Sequence, residues 1–363
     1  MATTLIVFLV ILSVLVYVHE FGHFLLAKLN GVKVLEFAFG FRPRLFFKKI
    51  GETEYAVNLI PLGGYVKLYG EGDGEKGPQS FRSKSIFQRF QVLVAGALMN
   101  LVLAWLILTG LFMTGFDPLM PGVGNNPFVT ATQQVGVVRV VEGTPASSAG
   151  ILAGDTITKV DGQAVASDQE FVALVNNKRG KELVLTLDRN GEQQLVTLTP
   201  RENPPPGQGM LGVAIRSTGQ VRSSVLMAPV AGFYETGRII GVSAQGIGNF
   251  AKNLFIRGKV SEDVTGIIGI GALTGVTRRL GFDYLVQLVA VVSIGLGVIN
   301  LVPLLPLDGG HIAALGYEKL AGRPMSDRQL GALATVGLAL VLLLFVVVTY
   351  KDIVRFDILG RFF

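Results

Sequence analysis

The chain has 363 residues, half of them hydrophobic and only 16% charged, with a mean hydropathy of +0.52, which excludes an ordinary soluble domain and places it among membrane proteins. Its net charge of +6 comes without a basic helix or an aromatic stacking platform, so no nucleic-acid partner is expected. Cysteine is absent, which excludes disulfides and thiolate zinc sites.

The first apolar run starts near Leu5 and continues through Leu29, long enough to span a bilayer. No positive n-region precedes it and no small-residue cleavage signal follows Val18, so it reads as a retained span and not as a removed signal peptide. Within it stands His19-Glu20-Phe21-Gly22-His23. Helical residues four apart share a face, so His19 and His23 can hold one zinc ion while Glu20 approaches a water activated there. Ionisable groups in hydrocarbon are costly unless satisfied, which favours a functional site over polar glue between spans.

Residues 24–90 carry eleven Lys/Arg against six acids, whereas 117–230 carry nine against ten. By the positive-inside rule the first stretch is cytoplasmic, and the second lies outside with the N-terminus. The tail, with Lys351, Arg355 and Arg361, then also lies outside, a mild departure from that rule. Phe37–Phe47 and Glu54–Tyr69 are rich in aromatic and β-branched residues, with turn signals at Lys49-Ile50-Gly51-Glu52 and Pro61-Leu62-Gly63-Gly64, which predicts a β-hairpin loop over about 34–70. A bare hairpin is marginal in water, so this one is expected to fold against the spans, with an edge that can take an unwound substrate as an added strand.

A second span is predicted over about Phe90–Phe116, containing Gly96-x-x-x-Asn100. From 130 to 216 the succession Val137–Val141, Pro145-Ala146, Ala149-Gly150, Gly154-Asp155, a helix near Ser167–Asn177 and two strands resembles a PDZ-like α+β domain. Its glycines and Asp155 form the turn between a short helix and a strand. Gly209-Met210-Leu211-Gly212-Val213 would supply the carboxylate-binding loop and first groove strand in circularly permuted order, although Pro204-Pro205-Pro206 interrupts the approach to it. Residues 231–256 mix Phe233, Ile239, Ile240 and Phe250 with Glu235, Arg238 and Lys252, which suggests an interfacial amphipathic helix and not a fifth span. Gly266–Gly275 fits a loop or a short buried helix, and the sequence leaves residues 257–283 open.

Third and fourth spans are predicted over about Tyr284–Leu307 and Leu330–Tyr350. The third ends in Asn300-Leu-Val-Pro303-Leu-Leu-Pro306-Leu-Asp308-Gly309-Gly310-His311, where two prolines and a glycine pair should break the helix. Irregular backbone at membrane depth is tolerated where it lines a cavity. At 1.5 Å per residue from Leu5, His19 lies roughly 21 Å into a core about 30 Å thick, and Asp308 reaches the same cytoplasmic-side level at the inner end of the third span. Asp308 can thus supply a third ligand and leave a fourth position for water; His311 competes for that role.

The pairing of His19-Glu20-Phe21-Gly22-His23 with Asn300-x-x-Pro303 and Leu307-Asp308-Gly309 resembles the site-2 protease family of intramembrane zinc metalloproteases, in its PDZ-bearing bacterial branch of the regulator of sigma-E protease type. The resemblance covers nearly the whole chain and takes in Asn58-Leu-Ile-Pro61-Leu-Gly63-Gly64-Tyr65-Val66-Lys67, Phe81-Arg-Ser-Lys-Ser85 and Gly96-x-x-x-Asn100. One departure is Ala97, where the family commonly has proline. The resemblance implies His19, His23 and Asp308 as zinc ligands, Glu20 as the acid/base, and a membrane re-entrant β-loop.

The expectation is therefore a multi-span α-helical membrane protein with about four transmembrane helices, organised as 1–116, 130–216, 231–256 and 284–363. It would hydrolyse peptide bonds within the transmembrane segments of single-span substrates in the lipid bilayer of a bacterial plasma (inner) membrane, with the PDZ domain outside the cytoplasm as a filter. Asn100, Asn300, Gly63 and Gly64 are candidates for holding substrate backbone; the two asparagines could instead form interhelical hydrogen bonds, an equal alternative for Asn300 beside its two prolines. A metal transporter has no use for Glu20 beside a ligand, and an inactive PDZ scaffold none for the ligand set. The sequence specifies no oligomeric state.

Overall fold

The computed structural model describes residues 2–71, 77–131, 134–165, 167–189, 191–205, 208–257 and 265–355; Pro206 and Arg361, invoked above, lie outside them. It divides into two compact units, Met1–Thr109 with Gly232–Phe363, and Gly110–Ala231.

The first unit opens with α1 (Ala2–Leu29), then β1 (Val34–Ile50), β2 (Thr53–Leu68) and α2 (Ile86–Thr114), which runs on into the second unit. No glycine or proline interrupts α1 before Gly22, and Gly31, with φ +65°, lets the chain leave the helix by a left-handed turn. The helix α2 is continuous through Ala97.

The two strands make more than a simple hairpin. Glu36–Phe39 pairs on one side with Glu54–Val57 and on the other with Gly64–Lys67, while Arg44–Ile50 pairs with Thr53–Asn58. Four strand segments result, with 64–68 at one edge and 44–50 at the other. Of the two turn signals, Gly51-Glu52 makes the turn between strands, whereas Pro61–Gly64 is a bend within β2. Gly40 (φ +79°) and Gly63 (φ +100°) permit these bends at no steric cost. The Asn58 amide fixes one of them by donating to Gly40 O at 2.9 Å. Arg44 bonds both Glu36 and Glu54, and Tyr65 donates to the same Glu36 oxygen at 2.8 Å, so one polar network ties all four segments.

The sheet lies on α1. Ser13 Oγ donates to Pro61 O, and Phe37 stacks on Tyr17 and Phe24 with centroids 5.2 and 4.8 Å apart.

The second unit contains β3 (Thr130–Ala131), β4 (Gln134–Val140), α3 (Pro145–Ser148), β5 (Thr156–Val160), β6 (Gln163–Ala164), α4 (Asp168–Asn176), β7 (Leu183–Arg189), β8 (Glu192–Leu198), β9 (Val213–Thr218) and β10 (Val221–Arg222). Its main sheet has the order β8-β7-β5-β4-β9, with β6 on β5, around a core that includes Val135, Ile151, Ile157, Phe171, Leu185 and Leu187. The strand β9 comes last in sequence yet pairs β4, so this PDZ domain has the permuted order. A cavity of about 230 Å³ lies between α4 and β9 and is lined by Phe171, Val175, Val213, Ile215 and the 208–211 loop.

The chain then returns to the first unit through α5 (Ala228–Arg257), followed by α6 (Ile267–Leu280), α7 (Phe282–Asn300), α8 (Asp308–Ala321) and α9 (Asp327–Arg355). Residues 267–280, left open by the sequence, are thus helical, and Asp352 holds their N-terminus by accepting from Gly266 N and Gly269 N at 2.9 and 2.8 Å. The helix α7 stops at Asn300 and not at Leu307, because Pro303 and Pro306 cannot continue it; the chain restarts as the separate helix α8. Among the described residues four helices, α1, α2, α7 and α9, are long and apolar enough to cross a membrane.

In the PDZ domain, buried Asp155 accepts from Leu152 N at 2.8 Å and from two Arg189 nitrogens at 2.7 Å each. Arg189 and the backbone bond together hold its carboxyl below the usual carboxylate range despite burial. A lowered folded value means stability that is complete above the unfolded pKa, about 4, and is lost as pH falls through the folded value. Thermal unfolding of the full chain followed with a probe in 134–222 should show Asp155→Asn costing roughly 2 kcal/mol near pH 7, and the difference from the parent should shrink below about pH 4.

Candidate metal centre

The centre is assembled from α1, α2 and the start of α8. His19 and His23 are one helical turn apart on α1, with ring centroids 4.9 Å apart and their Nε2 atoms 3.2 Å apart. Asp308, the first residue of α8, places Oδ2 3.1 Å from His19 Nε2 and 3.3 Å from His23 Nε2. Among the described residues these three side chains form a group able to hold a metal ion. His311 does not belong to it and is exposed.

The arrangement fits a small cation. Asp308 Oδ2 is buried, has no hydrogen-bond partner and faces the two ring nitrogens. Two imidazole nitrogens and a carboxylate oxygen turned on one point are costly without a positive charge among them. The space in front of them is kept by Gly96 of α2: a Cβ there would stand 2.3 Å from His23 Nε2 and 2.7 Å from His19 Nε2. Gly22 serves the same approach from the other helix, since its Cβ would meet Ala95 O at 2.3 Å. Nitrogen and oxygen donors of this kind suit zinc.

The backbone and side chains of α2 also orient the rings. His23 Nδ1 lies 2.8 Å from Val92 O; since a carbonyl only accepts, Nδ1 carries the proton and Nε2 offers its lone pair to the centre. His19 Nδ1 lies 3.2 Å from Asn100 Nδ2; the amide is fully buried and its Oδ1 has no partner. A lone pair on His19 Nε2 requires a proton on Nδ1 and hence an oxygen opposite it, which the Asn100 amide supplies when turned over so that Oδ1 faces the ring.

Glu20 follows His19 directly and accepts a hydrogen bond from Val66 N in the edge segment of β2. Gly64 packs beside it, with a Cβ position 3.7 Å from Glu20 Cγ, and Gly63 packs on Val16. Asn300 is half-buried at the last turn of α7. The structure thus places Glu20 next to a ligand, Gly64 against Glu20 and Asn100 onto His19, whereas Gly63 meets Val16 and Phe41 and not the centre. The Val92 carbonyl and the Val66 amide were not foreseeable, because any residue type supplies them.

The chain matches the family model "Peptidase family M50" over residues 7–344. It is 33% identical over 343 residues to a candidate zinc metalloprotease of Clostridium acetobutylicum, covering 94% of this chain and 95% of that one. It is 30% identical over 434 aligned positions to the zinc metalloprotease RasP of Shouchella clausii, covering 96% and 98%. Among solved structures, the PDZ domain of the SdrC-like protein from Listeria innocua aligns with 23% of this chain and 92% of its own length at 30% identity, with a TM-score of 0.21. The chain belongs to peptidase family M50, the site-2 protease family, and is a multi-pass membrane zinc metalloprotease.

Proposed function

We propose that this protein cuts peptide bonds within the transmembrane segments of single-span membrane substrates, with His19, His23 and Asp308 as the zinc ligands and Glu20 as the acid/base. The observation that carries the reading is the convergence of His19 Nε2, His23 Nε2 and Asp308 Oδ2 within 3.3 Å of one another, with Glu20 next in sequence to a ligand. Zinc bound there supplies Lewis-acid activation of water and of the scissile carbonyl. The Glu20 carboxylate takes a proton from the attacking water as the carbon–oxygen bond forms. It then delivers that proton to the amide nitrogen as the carbon–nitrogen bond breaks. Val66 N–H holds the carboxylate in place for both transfers, and Asn100 acts as a positioning residue on His19.

The edge segment 64–68 and its glycines Gly63 and Gly64 are suited to receive substrate as an added strand beside Glu20, because a transmembrane helix must be unwound before its backbone carbonyl can be attacked. Asn300, at the break before Asp308, is proposed to hold substrate backbone. The charge distribution between spans supports four crossings, with the catalytic level toward the cytoplasmic side of a bacterial inner membrane and the PDZ domain on the other side. Such a domain acts as a filter on entry and not on the bond itself.

Elemental analysis and cleavage of a single-span substrate in detergent test the site together. Glu20→Gln should retain zinc and lose cleavage by at least about a hundredfold, Asp308→Ala and Gly96→Ala should lose zinc, and His311→Ala should keep about one zinc per chain. Zinc retained in Asp308→Ala and lost in His311→Ala would transfer the third ligand to the histidine. The filter is tested by cleavage of one substrate with and without a bulky extracytoplasmic domain. Deletion of 135–213 should let the bulky form be cut at about the rate of the trimmed one, and a folded, zinc-loaded deletion variant that cuts neither would disprove filtering.

A further inference from the structure

Arg89, Val92, Gly96 and Asn100 succeed one another at spacings of three, four and four, so they form one stripe along α2. Three of them serve the histidine pair, through the Val92 carbonyl, the space at Gly96 and the Asn100 amide. Arg89 turns instead to α8. Its Nη2 lies 2.6 Å from Glu318 Oε1 and its Nη1 3.0 Å from Glu318 Oε2, a two-bond fork between side chains only 12% and 18% exposed. Paired contacts of this geometry are the strong, directional kind of ion pair, and removal of either partner leaves a largely buried charge.

The helix α8 begins with Asp308, and Glu318 lies ten residues on, about 15 Å along the axis. Before it runs the irregular 301–307 segment, and after it Gly322 in a left-handed conformation, so neighbouring regular structure does not fix its position. What holds it is Leu315 packed in a cluster with Ala27, Val92 and Leu93, the close fit of Gly309 and Gly310 on the 301–305 backbone, and the Arg89 fork. The apolar contacts hold α8 by packing alone, and the fork adds a directional bond against sliding and rotation.

We propose that Arg89 and Glu318 are positioning residues of the metal centre: they fix α8 to the same stripe of α2 that orients His19 and His23, and so hold Asp308 Oδ2 against the two ring nitrogens. The proposal rests on the ligand set given above. A second ion pair nearby provides the contrast, since Arg82 reaches Asp327 at 3.1 Å with side chains 48% and 81% exposed and joins α9 and not α8.

The test is zinc transfer from the full chain, purified in detergent and zinc-loaded, to a chromophoric chelator, with melting of the zinc-free protein recorded beside it. Glu318→Gln and Arg89→Gln should each release zinc on the order of tenfold faster, the scale typical of outer partners of metal ligands. The exchanged pair, Arg89→Glu with Glu318→Arg, should recover most of that loss, and Arg82→Ala should leave release unchanged. Arg89→Lys keeps the charge and loses the fork, so it should fall between, and it replaces Arg89→Gln if that variant does not fold. Release at the parental rate from folded Glu318→Gln or Arg89→Lys overturns the proposal, as does a loss that the exchanged pair leaves unrepaired. Asp308→Ala is run alongside: retention of zinc by that variant defeats the ligand set itself, whereas its loss beside unaffected pair variants defeats the positioning role alone.

Discussion

The structure depends on one electrostatic constraint: two imidazoles and a carboxylate, far apart in sequence, face a common point inside an apolar bundle. Asp308 Oδ2 stands 3.1 and 3.3 Å from the two Nε2 atoms, an arrangement that burial opposes unless a cation joins it. Close helix approach follows from this requirement. Gly22 against Ala95, Gly96 against both rings, and Gly297 against Ala97 O bring backbones together where any side chain would hold them apart, the usual role of small residues between membrane helices.

The same constraint explains why the third long helix does not run through. His19 and His23 face the centre from within α1, whereas Asp308 reaches it as the first residue of a separate helix. The break at 301–307 supplies that end, and Gly309 and Gly310 let α8 fold back onto the 301–305 backbone. The sheet of β1 and β2 meets the other side of α1. Ser13 grips Pro61 and Val66 N–H reaches Glu20, so the carboxylate proposed to handle protons is tied to the strand proposed to receive peptide. On the proposed reading, acid/base group and substrate edge form one assembly.

Much of this was legible in the residues. The spacing of His19 and His23 marks one face of a helix, and Pro303, Pro306 and Gly309-Gly310 mark a break wherever they occur. Four apolar segments and the PDZ-like succession, including the permuted strand at Val213, were also visible. The sheet was legible only in part, because the double pairing of Glu36–Phe39 depends on how Gly40 and Gly63 bend and not on any alternation of residue types. Helix α8 lies beyond the expected third span, which ended at Leu307, and was not foreseen, since periodicity does not reveal where a helix restarts. The partners of the histidines were harder still: the Val92 carbonyl carries no sequence signal, and Asn100 suggests substrate binding as readily as support of His19.

Zinc K-edge absorption spectroscopy of the purified, zinc-loaded protein addresses the centre most directly, because it counts ligands without reference to activity. Two imidazole nitrogens with oxygen completing a four-coordinate shell at about 2.0–2.1 Å is the expected result. Three imidazoles would bring His311 into the shell in place of Asp308, and a six-coordinate oxygen shell with no imidazole would remove the histidine pair; either would contradict a centre built from His19, His23 and Asp308.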